Sequence, residues 1–174
     1  MTNILTLERV ETFISQYHIL QGITFEAKEG EVSVLLGRNG AGKTTTLRTI
    51  MGLTPASKGT IQFDGKDITK MAPYDIANSG IGYVPEDQGI FGQLSVEENM
   101  KVAIRKETDA TMQKQAYILE LFPDLKKFWK KQGGNLSGGQ KQMHAMARAF
   151  VNDSKLHLID EPSKGLAPIV IEKV

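Results

Sequence analysis

Short runs of apolar residues, most of them in the first half of the chain, predict β-strands. Residues 23–27 alternate apolar and polar side chains, as in a strand with one buried face, and residues 4–10 are rich in strand-forming side chains. Residues 32–36 are almost continuously apolar, which is typical of a strand buried on both faces. Further short strands are predicted at 60–63, 81–84 and 156–159.

Between the strand-rich regions, the apolar spacing changes to the period of a helix. Apolar residues recur three or four positions apart over residues 96–121, and the helical pattern continues over 122–131 with Pro123 in the first turn. Ser137 is a candidate N-cap for another helix, which is expected to end near Phe150. Shorter helices are predicted at 43–51 and from 168 onward. Strands that alternate with helices in this way indicate an α/β fold.

Composition narrows the classes of function that the chain can have. Its 174 residues suit one domain, and 40% hydrophobic with 24% charged residues is enough for a packed core. The net charge of +1 argues against a dedicated nucleic-acid binder, which carries a strong basic excess. Because there is no cysteine, a disulfide framework and a thiolate metal site are excluded. No apolar run approaches the roughly 18 residues that span a bilayer, so a membrane role would require a partner protein.

A glycine-rich segment lies between the strand predicted at 32–36 and the helix predicted at 43–51. It matches the pattern G-x-x-x-x-G-K-[ST] in the strand-to-helix context that this motif requires. Glycines allow backbone N–H groups to turn towards phosphates, and the helix N-terminus adds partial positive charge. Lys43 would contact the β- and γ-phosphates, and the Thr44 hydroxyl group would bind Mg²⁺. The residues expected to hold a nucleotide are Gly37, Arg38, Asn39, Gly40, Ala41, Gly42, Lys43, Thr44 and Thr45.

Two carboxylates stand at the end of the strand predicted at 156–159. In open α/β sheets, ligands bind beyond the carboxyl ends of the strands. Asp160 is therefore expected near the Mg²⁺ ion, through a water molecule, and Glu161 is placed to polarise the water that attacks the γ-phosphate. His157 interrupts the same strand and is interpreted as a partly buried histidine whose hydrogen bonds are satisfied.

A second predicted anion site lies at the start of the helix that follows Ser137. Here Ser137, Gly138, Gly139 and Gln140 present a hydroxyl group and backbone N–H groups at a helix N-terminus. One nucleotide cannot readily use both anion sites of a single domain. A head-to-tail dimer removes this difficulty, because the second site of each subunit would close over the nucleotide that the other subunit holds.

The glycine-rich loop, the L-S-G-G-Q segment at 136–140 and the apolar run that ends in Asp160 and Glu161 occur in this order. Together they resemble the ATP-binding-cassette (ABC) family over nearly the whole chain. The resemblance implies a P-loop ATPase with a mixed sheet and an inserted helical subdomain, which binds ATP and Mg²⁺ and works as a homo- or heterodimer. One domain would span 1–174, with a nucleotide-binding core at 1–90 and 151–174 and a helical signature subdomain at 91–150.

The same resemblance implies partners at a membrane. In this family the helical subdomain contacts transmembrane permease subunits, and importers also depend on a periplasmic or extracellular solute-binding protein. The chain would then lie in the cytoplasm, peripherally on the inner face of the cell membrane. No nucleic acid is expected as a partner.

A narrower resemblance is to the ATPases of branched-chain amino-acid transporters, the LivF type. It rests on residues 35–53, 63–69, 80–87 and 94–99. The ATPases of urea transporters share much of this pattern. The sequence therefore predicts an importer ATPase for branched-chain amino acids, with a urea- or amide-type importer or a soluble ABC ATPase as alternatives. A soluble type is disfavoured because the chain has one cassette, and the interval 53–136 is too short for the coiled coil of DNA-repair types.

The chain departs from the family pattern in two places near the nucleotide. Glu86 stands where most relatives have a glutamine that contacts Mg²⁺, and Gln88 lies two residues further on as a second candidate. At the position of the aromatic residue that stacks on adenine the chain has Ile14, with Phe13 and Tyr17 beside it as alternative platforms.

The C-terminal segment also departs from the family pattern. Residues 163–167 match the family's loop that contacts the opposite subunit, but the family then continues through another helix and strand to a switch residue. The resemblance therefore implies a chain truncated at its C-terminus. A fragment that binds nucleotide without hydrolysing it is a further hypothesis.

Overall fold

The computed structural model describes residues 2–162 of the chain. They fall into two compact units that divide between Ile81 and Gly82, directly after the first residue of a strand. Strands and helices occur in both units, and each has its own buried apolar residues.

An antiparallel sheet forms the base of the first unit. Its strands are β1 (Asn3–Ile14), β2 (Tyr17–Lys28), β3 (Lys58–Phe63) and β4 (Lys66–Asp67), in the spatial order β2-β1-β3-β4. Leu5 pairs with Phe63 and Leu7 with Ile61 across β1 and β3, and each of the four is 2% exposed or less. The strands predicted at 4–10, 23–27 and 60–63 are confirmed, because they lie within β1, β2 and β3.

Two helices complete the first unit, α1 (Lys43–Ile50) and α2 (Pro73–Asn78). The buried hydroxyl groups of Thr12 on β1 and Thr49 on α1 lie 3.2 Å apart, which ties the helix to the sheet. The helix predicted at 43–51 is confirmed to within one residue. The sequence did not predict α2, because six residues with one buried apolar side chain, Ile76, are too few to show a helical period.

The strand predicted at 32–36 is wrong for the described structure. These residues form no strand, and Val32, Val34 and Leu36 are 93%, 71% and 86% exposed. A β-strand requires neighbouring strands that accept and donate its backbone hydrogen bonds, and no segment among residues 2–162 pairs with this one. The apolar run therefore carries the composition of a buried strand without the partners that would bury it.

The second unit begins with a pair of neighbouring strands, β5 (Ile81–Val84) and β6 (Leu156–Ile159), both as the sequence predicted. The Asp160 backbone N–H donates to the Val84 carbonyl oxygen at 2.9 Å, so both strands end at the same edge. Four helices lie between them along the chain. They are α3 (Val96–Ala103), α4 (Asp109–Leu121), α5 (Pro123–Lys127) and α6 (Gly138–Phe150).

The helices of the second unit share one apolar cluster. It contains Met100, Ile118, Leu125, Ala147 and Val151, and the Trp129 side chain packs against it. The helical pattern at 96–121 is broken over 104–108, where the Asn152 side chain bonds the backbone of Ala103 and Arg105. The helix expected at 122–131 already ends at Lys127.

None of the helices in residues 2–162 combines the length and the hydropathy that crossing a membrane requires.

Candidate functional site

The glycine-rich loop at 37–44, called the phosphate loop here, belongs to the first unit. Residues 37–41 are exposed, and Gly40 and Gly42 have φ angles of 83° and 89°, in the left-handed region that other residues adopt at a cost. A Cβ atom at position 42 would also lie 3.0 Å from Cδ2 of Leu20 on β2. Glycine at this position therefore satisfies both the backbone conformation and the close approach to the sheet.

Lys43 is held at the centre of the phosphate loop. Its Nζ atom donates hydrogen bonds to the carbonyl oxygens of Gly37 at 2.9 Å and Arg38 at 3.2 Å. The loop thus curves around a full positive charge. An anion that binds here gains a charge-assisted contact with that ammonium group.

The N-terminus of α1 adds backbone donors to this charge. Gly42 is the N-cap and supplies no side-chain acceptor, and no acidic residue stands in the first turn. The N–H groups of Lys43, Thr44 and Thr45 therefore have no hydrogen-bond partner among residues 2–162. Three open amides, a helix dipole and a lysine together form a site that favours a phosphate group.

The predicted acidic pair lies at the end of β6 in the second unit. Asp160 is 3% exposed, and its Oδ2 atom is buried without a hydrogen-bond partner among the described residues. Glu161 is exposed and has a φ angle of 49°, a left-handed conformation that costs a non-glycine residue free energy. The two carboxylates thus have opposite environments, although they are neighbours in sequence.

The residues fit Mg²⁺ held partly by phosphates. The buried Asp160 Oδ2 atom is an acceptor without a partner, as a carboxylate that binds a cation or its water would be. Glu86 follows β5 by two residues, so it comes from the same edge of the β5–β6 pair as Asp160. No cluster of three or more metal-binding side chains occurs within residues 2–162.

Residues 137–140, called the signature segment here, begin α6 as the sequence predicted. The Ser137 Oγ atom accepts from the Gln140 backbone N–H at 3.3 Å, and the Gln140 Oε1 atom accepts from the Ser137 N–H at 3.0 Å. This capping box leaves the N–H groups of Gly138 and Gly139 without partners in the described part of the chain. The Ser137 hydroxyl hydrogen can still donate, so the segment offers three donors to an anion.

The loop that follows β5 carries Glu86 and Gln88, the two residues that the sequence offered as Mg²⁺ contacts. The Gln88 Nε2 atom donates to the Gln142 Oε1 atom of α6 at 3.1 Å, and Arg148 of α6 donates from Nη1 to the Gly89 carbonyl oxygen at 2.5 Å. The sequence raised Gln88 as a second Mg²⁺ contact, but in the structure its amide group is bonded to Gln142. The sequence reasoning missed Gln142 and Arg148, because the contact that involves each of them spans more than 50 residues.

The predicted adenine platform lies at the turn between β1 and β2. Phe13 stacks on His18 with ring centroids 4.2 Å apart and an interplanar angle of 6°. Ile14 pairs with Tyr17, which is 64% exposed, and Ile19 of the same strand borders Gly42 of the phosphate loop. Because His18 covers one face of Phe13, a base could contact the opposite face of that ring, the side chain of Tyr17 or that of Ile14, which is 44% exposed.

Two histidines of the second unit have lowered pKa values, His144 being buried and His157 half-buried. His144 is completely buried without a partner for either nitrogen among the described residues, and burial, followed by the charge of Arg148, lowers the pKa of His144 to about 4. Burial, followed by the charge of Lys114, lowers the pKa of His157. The prediction that His157 is partly buried is confirmed. The prediction that its hydrogen bonds are satisfied is wrong, because its Nδ1 atom has no partner among residues 2–162.

The model of the family described as "ABC transporter" matches residues 20–164. That range contains the phosphate loop, the signature segment and the acidic pair. The chain belongs to the ABC transporter family. Its ABC ATPase fold and enzyme class, which the three motifs predicted, are thereby confirmed. The family loop expected at 163–167 and the helix predicted from 168 onward lie outside the described residues.

Characterised ABC proteins resemble the chain over most of its length. It is 37% identical over 98% of its residues to the high-affinity branched-chain amino acid transport ATP-binding protein BraG of Pseudomonas aeruginosa, and it covers 73% of that protein. It is 33% identical over 99% of its residues to the lipopolysaccharide export ATP-binding protein LptB of Haemophilus influenzae, of which it again covers 73%.

A solved structure gives the same result for the fold. An ATP-binding cassette in a dimeric post-hydrolysis state with ADP and Pi matches 97% of the chain with a TM-score of 0.83 and 25% identity. The chain covers 78% of that structure. The branched-chain and lipopolysaccharide relatives agree on ATP binding for transport and differ in the transported compound.

Proposed function

We propose that the chain binds ATP with Mg²⁺ on the phosphate loop and hydrolyses it as one half of an ABC dimer that powers an importer. The observation that carries this proposal is the uncapped N-terminus of α1. There, three backbone amides and the Lys43 ammonium group stand together beside left-handed glycines. A site of this composition favours a polyphosphate over a neutral ligand.

The proposed reaction is the transfer of the γ-phosphoryl group to water. The water oxygen bonds to the γ-phosphorus, the bond from that phosphorus to the β–γ bridging oxygen breaks, and ADP and phosphate leave. Glu161 accepts the proton of the attacking water, while Lys43 and the loop amides stabilise charge on the phosphate oxygens. Mg²⁺, held by Thr44, Asp160 and Glu86, would neutralise part of the same charge.

We propose that the second anion site acts on the nucleotide of another subunit. Ser137, Gly138, Gly139 and Gln140 begin α6, and the two glycine amides and the serine hydroxyl can donate to the γ-phosphate of that nucleotide. The partner is a second ABC ATPase subunit, the same chain or a related one. The dimeric state of the solved cassette supports this arrangement.

The proposed domain organisation is the one that the resemblance to the ABC family implies. Residues 1–90 and 151–174 form the nucleotide-binding core of a single domain, and residues 91–150 form its helical subdomain. The helical subdomain contacts transmembrane permease subunits at the inner face of the cell membrane. A periplasmic or extracellular solute-binding protein delivers the solute to those subunits.

We propose branched-chain amino acids as the transported solutes. The relative BraG, at 37% identity, supports this choice, whereas LptB, at 33% identity, serves export of a lipopolysaccharide. A urea- or amide-type importer is the second candidate, because the sequence also resembles the ATPases of urea transporters. A soluble ABC ATPase would lack permease partners altogether.

Phosphate release from ATP tests the enzymatic proposal. Glu161→Gln keeps the size of the side chain and removes its basicity, so the rate is expected to fall at least about 100-fold while ATP binding persists. Glu107→Gln, at an exposed carboxylate of the same unit, is the matched control and should keep the wild-type rate. Equal rates in the wild-type chain and Glu161→Gln would instead mean a nucleotide-binding fragment that does not hydrolyse ATP.

Copurification and transport test the importer proposal. A tagged chain extracted from native membranes is expected to bring down proteins with transmembrane helices, and vesicles of that complex should take up labelled leucine when ATP is enclosed. Uptake of urea without leucine would favour the second candidate. Recovery of the chain without any membrane protein would contradict the importer.

A further inference from the structure

The loop at residues 85–92 connects β5 to the helices of the second unit and carries Glu86 near its start. It is not held by β-sheet bonding. Its internal turn has one hydrogen bond, from the Gln88 backbone N–H to the Pro85 carbonyl oxygen at 2.9 Å. Its conformation therefore depends on contacts with other elements of the unit.

One such contact comes from the middle of the loop to α6. The Gln88 Nε2 atom donates to the Oε1 atom of Gln142, a side chain that is only 1% exposed. Gln142 stands two residues after the signature segment on the same helix. Its own Nε2 atom has no hydrogen-bond partner among the described residues, so the bond from Gln88 is the one that its amide group makes there.

The backbone of Gln88 shows that the loop conformation is imposed. Its φ angle is 66°, in the left-handed region, and it is not a glycine. A long side chain in this conformation costs free energy, which the surrounding contacts must offset. Here the Gln88–Gln142 hydrogen bond is the contact that the strained residue makes with its side chain.

Arg148 provides a second attachment from the same helix. It donates to the Gly89 carbonyl oxygen, and its guanidinium carbon lies 5.4 Å from the centre of the Phe91 ring. Asn99 of α3 fixes the end of the loop by bonding both the N–H and the carbonyl oxygen of Phe91 at 3.0 Å. The loop is thus held at its middle by α6 and at its end by α3.

We propose that Gln142 is a positioning residue of the ATPase site, which acts through Gln88 to hold the 85–92 loop and Glu86 in register with the signature helix α6. The proposal rests on the proposed function, because Glu86 matters here as one of the residues proposed to hold Mg²⁺.

Two variants remove the attachment from its two sides. Gln142→Met keeps the volume of the buried side chain and removes its acceptor, along with a buried amide nitrogen that has no partner. Gln88→Gly removes the donor and at the same time relieves the left-handed backbone. Neither variant is expected to lower the melting temperature of the second unit. Asp64→Gly, at another left-handed residue with a φ angle of 50° in the first unit, is the control for relief of backbone strain.

The first measurement is hydrogen–deuterium exchange of the 174-residue chain, followed at the loop amides and along α6. Both Gln142→Met and Gln88→Gly are expected to speed exchange at the amides of Gly89 and Phe91 about threefold to tenfold, as the loss of one hydrogen bond allows. Exchange in α6 should not change. The double variant should resemble each single one, because both remove the same bond. Unchanged exchange at the loop in both single variants would overturn the proposal.

The second measurement is the Mg²⁺ concentration that half-saturates binding of a fluorescent ATP analogue. Both variants should raise this Mg²⁺ concentration about threefold to tenfold. The affinity for the ATP analogue in the presence of EDTA should stay at the wild-type value. A purely structural role would change both quantities. Asp64→Gly should leave both quantities unchanged. A faster loop with unaltered Mg²⁺ dependence would refute the positioning role. Failure of the wild-type chain to bind the analogue would instead refute the proposed function.

Discussion

The N-termini of α1 and α6 present backbone amides to an anion in two different ways. At α1 the N-cap is a left-handed glycine with no side-chain acceptor, so three amides are open beside the Lys43 ammonium group. At α6 the capping box of Ser137 and Gln140 satisfies two backbone donors and leaves the amides of Gly138 and Gly139. No basic residue stands before the fourth position of α6, where Lys141 lies.

This difference indicates that the N-terminus of α1 can bind a phosphate group by itself, whereas the N-terminus of α6 adds contacts to a phosphate group that is already bound elsewhere. Open amides at α1 cost helix stability, which a bound phosphate would restore, and Lys43 supplies the charge for strong binding. The capped α6 is stable without a ligand and offers fewer donors with less charge. We therefore expect the isolated chain to bind ATP through α1, and α6 to contribute when a second subunit brings it to that ATP.

Replacement of Lys43 by alanine should have the largest effect on this contrast. The variant removes a full charge from the phosphate loop, so the dissociation constant for ATP is expected to rise about 1,000-fold, or about 4 kcal/mol. Isothermal titration calorimetry measures it directly. Lys66→Ala, at an exposed lysine of β4, controls for the loss of one positive charge. Wild-type affinity in Lys43→Ala would show that α1 is not the phosphate site.

Lowering the pH should reduce the free energy of unfolding of the second unit, because His144 is buried there as a neutral imidazole. The pKa of this buried imidazole is lowered from 6.5 to about 4, so the unfolded chain binds the proton first and stability is lost as pH falls from 6.5 towards 4. The loss should be on the order of 3 kcal/mol at pH 4. It can be followed by denaturant unfolding at several pH values with the fluorescence of Trp129, the single tryptophan. His144→Leu should flatten this dependence, and an unchanged slope would contradict the burial argument.

Alanine at Gly42 should reduce binding by a smaller factor. The left-handed φ angle of 89° and the 3.0 Å approach to Leu20 both oppose a Cβ atom, so the loop must shift and ATP affinity is expected to fall about tenfold, or about 1.4 kcal/mol. The same titration measures the change. Gly65→Ala, with a φ angle of 73° and no atom within 4 Å of the added Cβ, controls for the backbone alone. Equal losses in the two proteins would remove the steric part of the argument.

Replacement of Ser137 by alanine should have the smallest effect and should leave ATP binding by the isolated chain unchanged. Loss of the N-cap is expected to cost α6 about 1 kcal/mol, measured by denaturant unfolding of the second unit. Ser137→Thr keeps the hydroxyl acceptor and is the matched control. A marked loss of ATP affinity in Ser137→Ala would mean that α6 binds the nucleotide of its own subunit.

Features that depend on neighbouring residues in sequence could be predicted, and those that depend on distant ones could not. Ser137 and Gln140 predict the start of α6, because a capping box involves residues close in sequence. The G-x-x-x-x-G-K-T run predicts the phosphate loop for the same reason. The residues at 32–36 misled the prediction, since a strand exists only with its partners. The bond between Gln88 and Gln142 joins residues 54 apart, which no local pattern indicates.

Backbone amide shifts during titration with ATP test the central claim most directly. If the phosphates bind at the uncapped end of α1, the largest changes in the ¹⁵N–¹H spectrum should fall on Gly40, Gly42, Lys43, Thr44 and Thr45, with saturation at one nucleotide per chain. The amides of Gly138 and Gly139 should move little at concentrations that keep the chain monomeric. Shifts centred on α6, or none within the phosphate loop, would contradict the account.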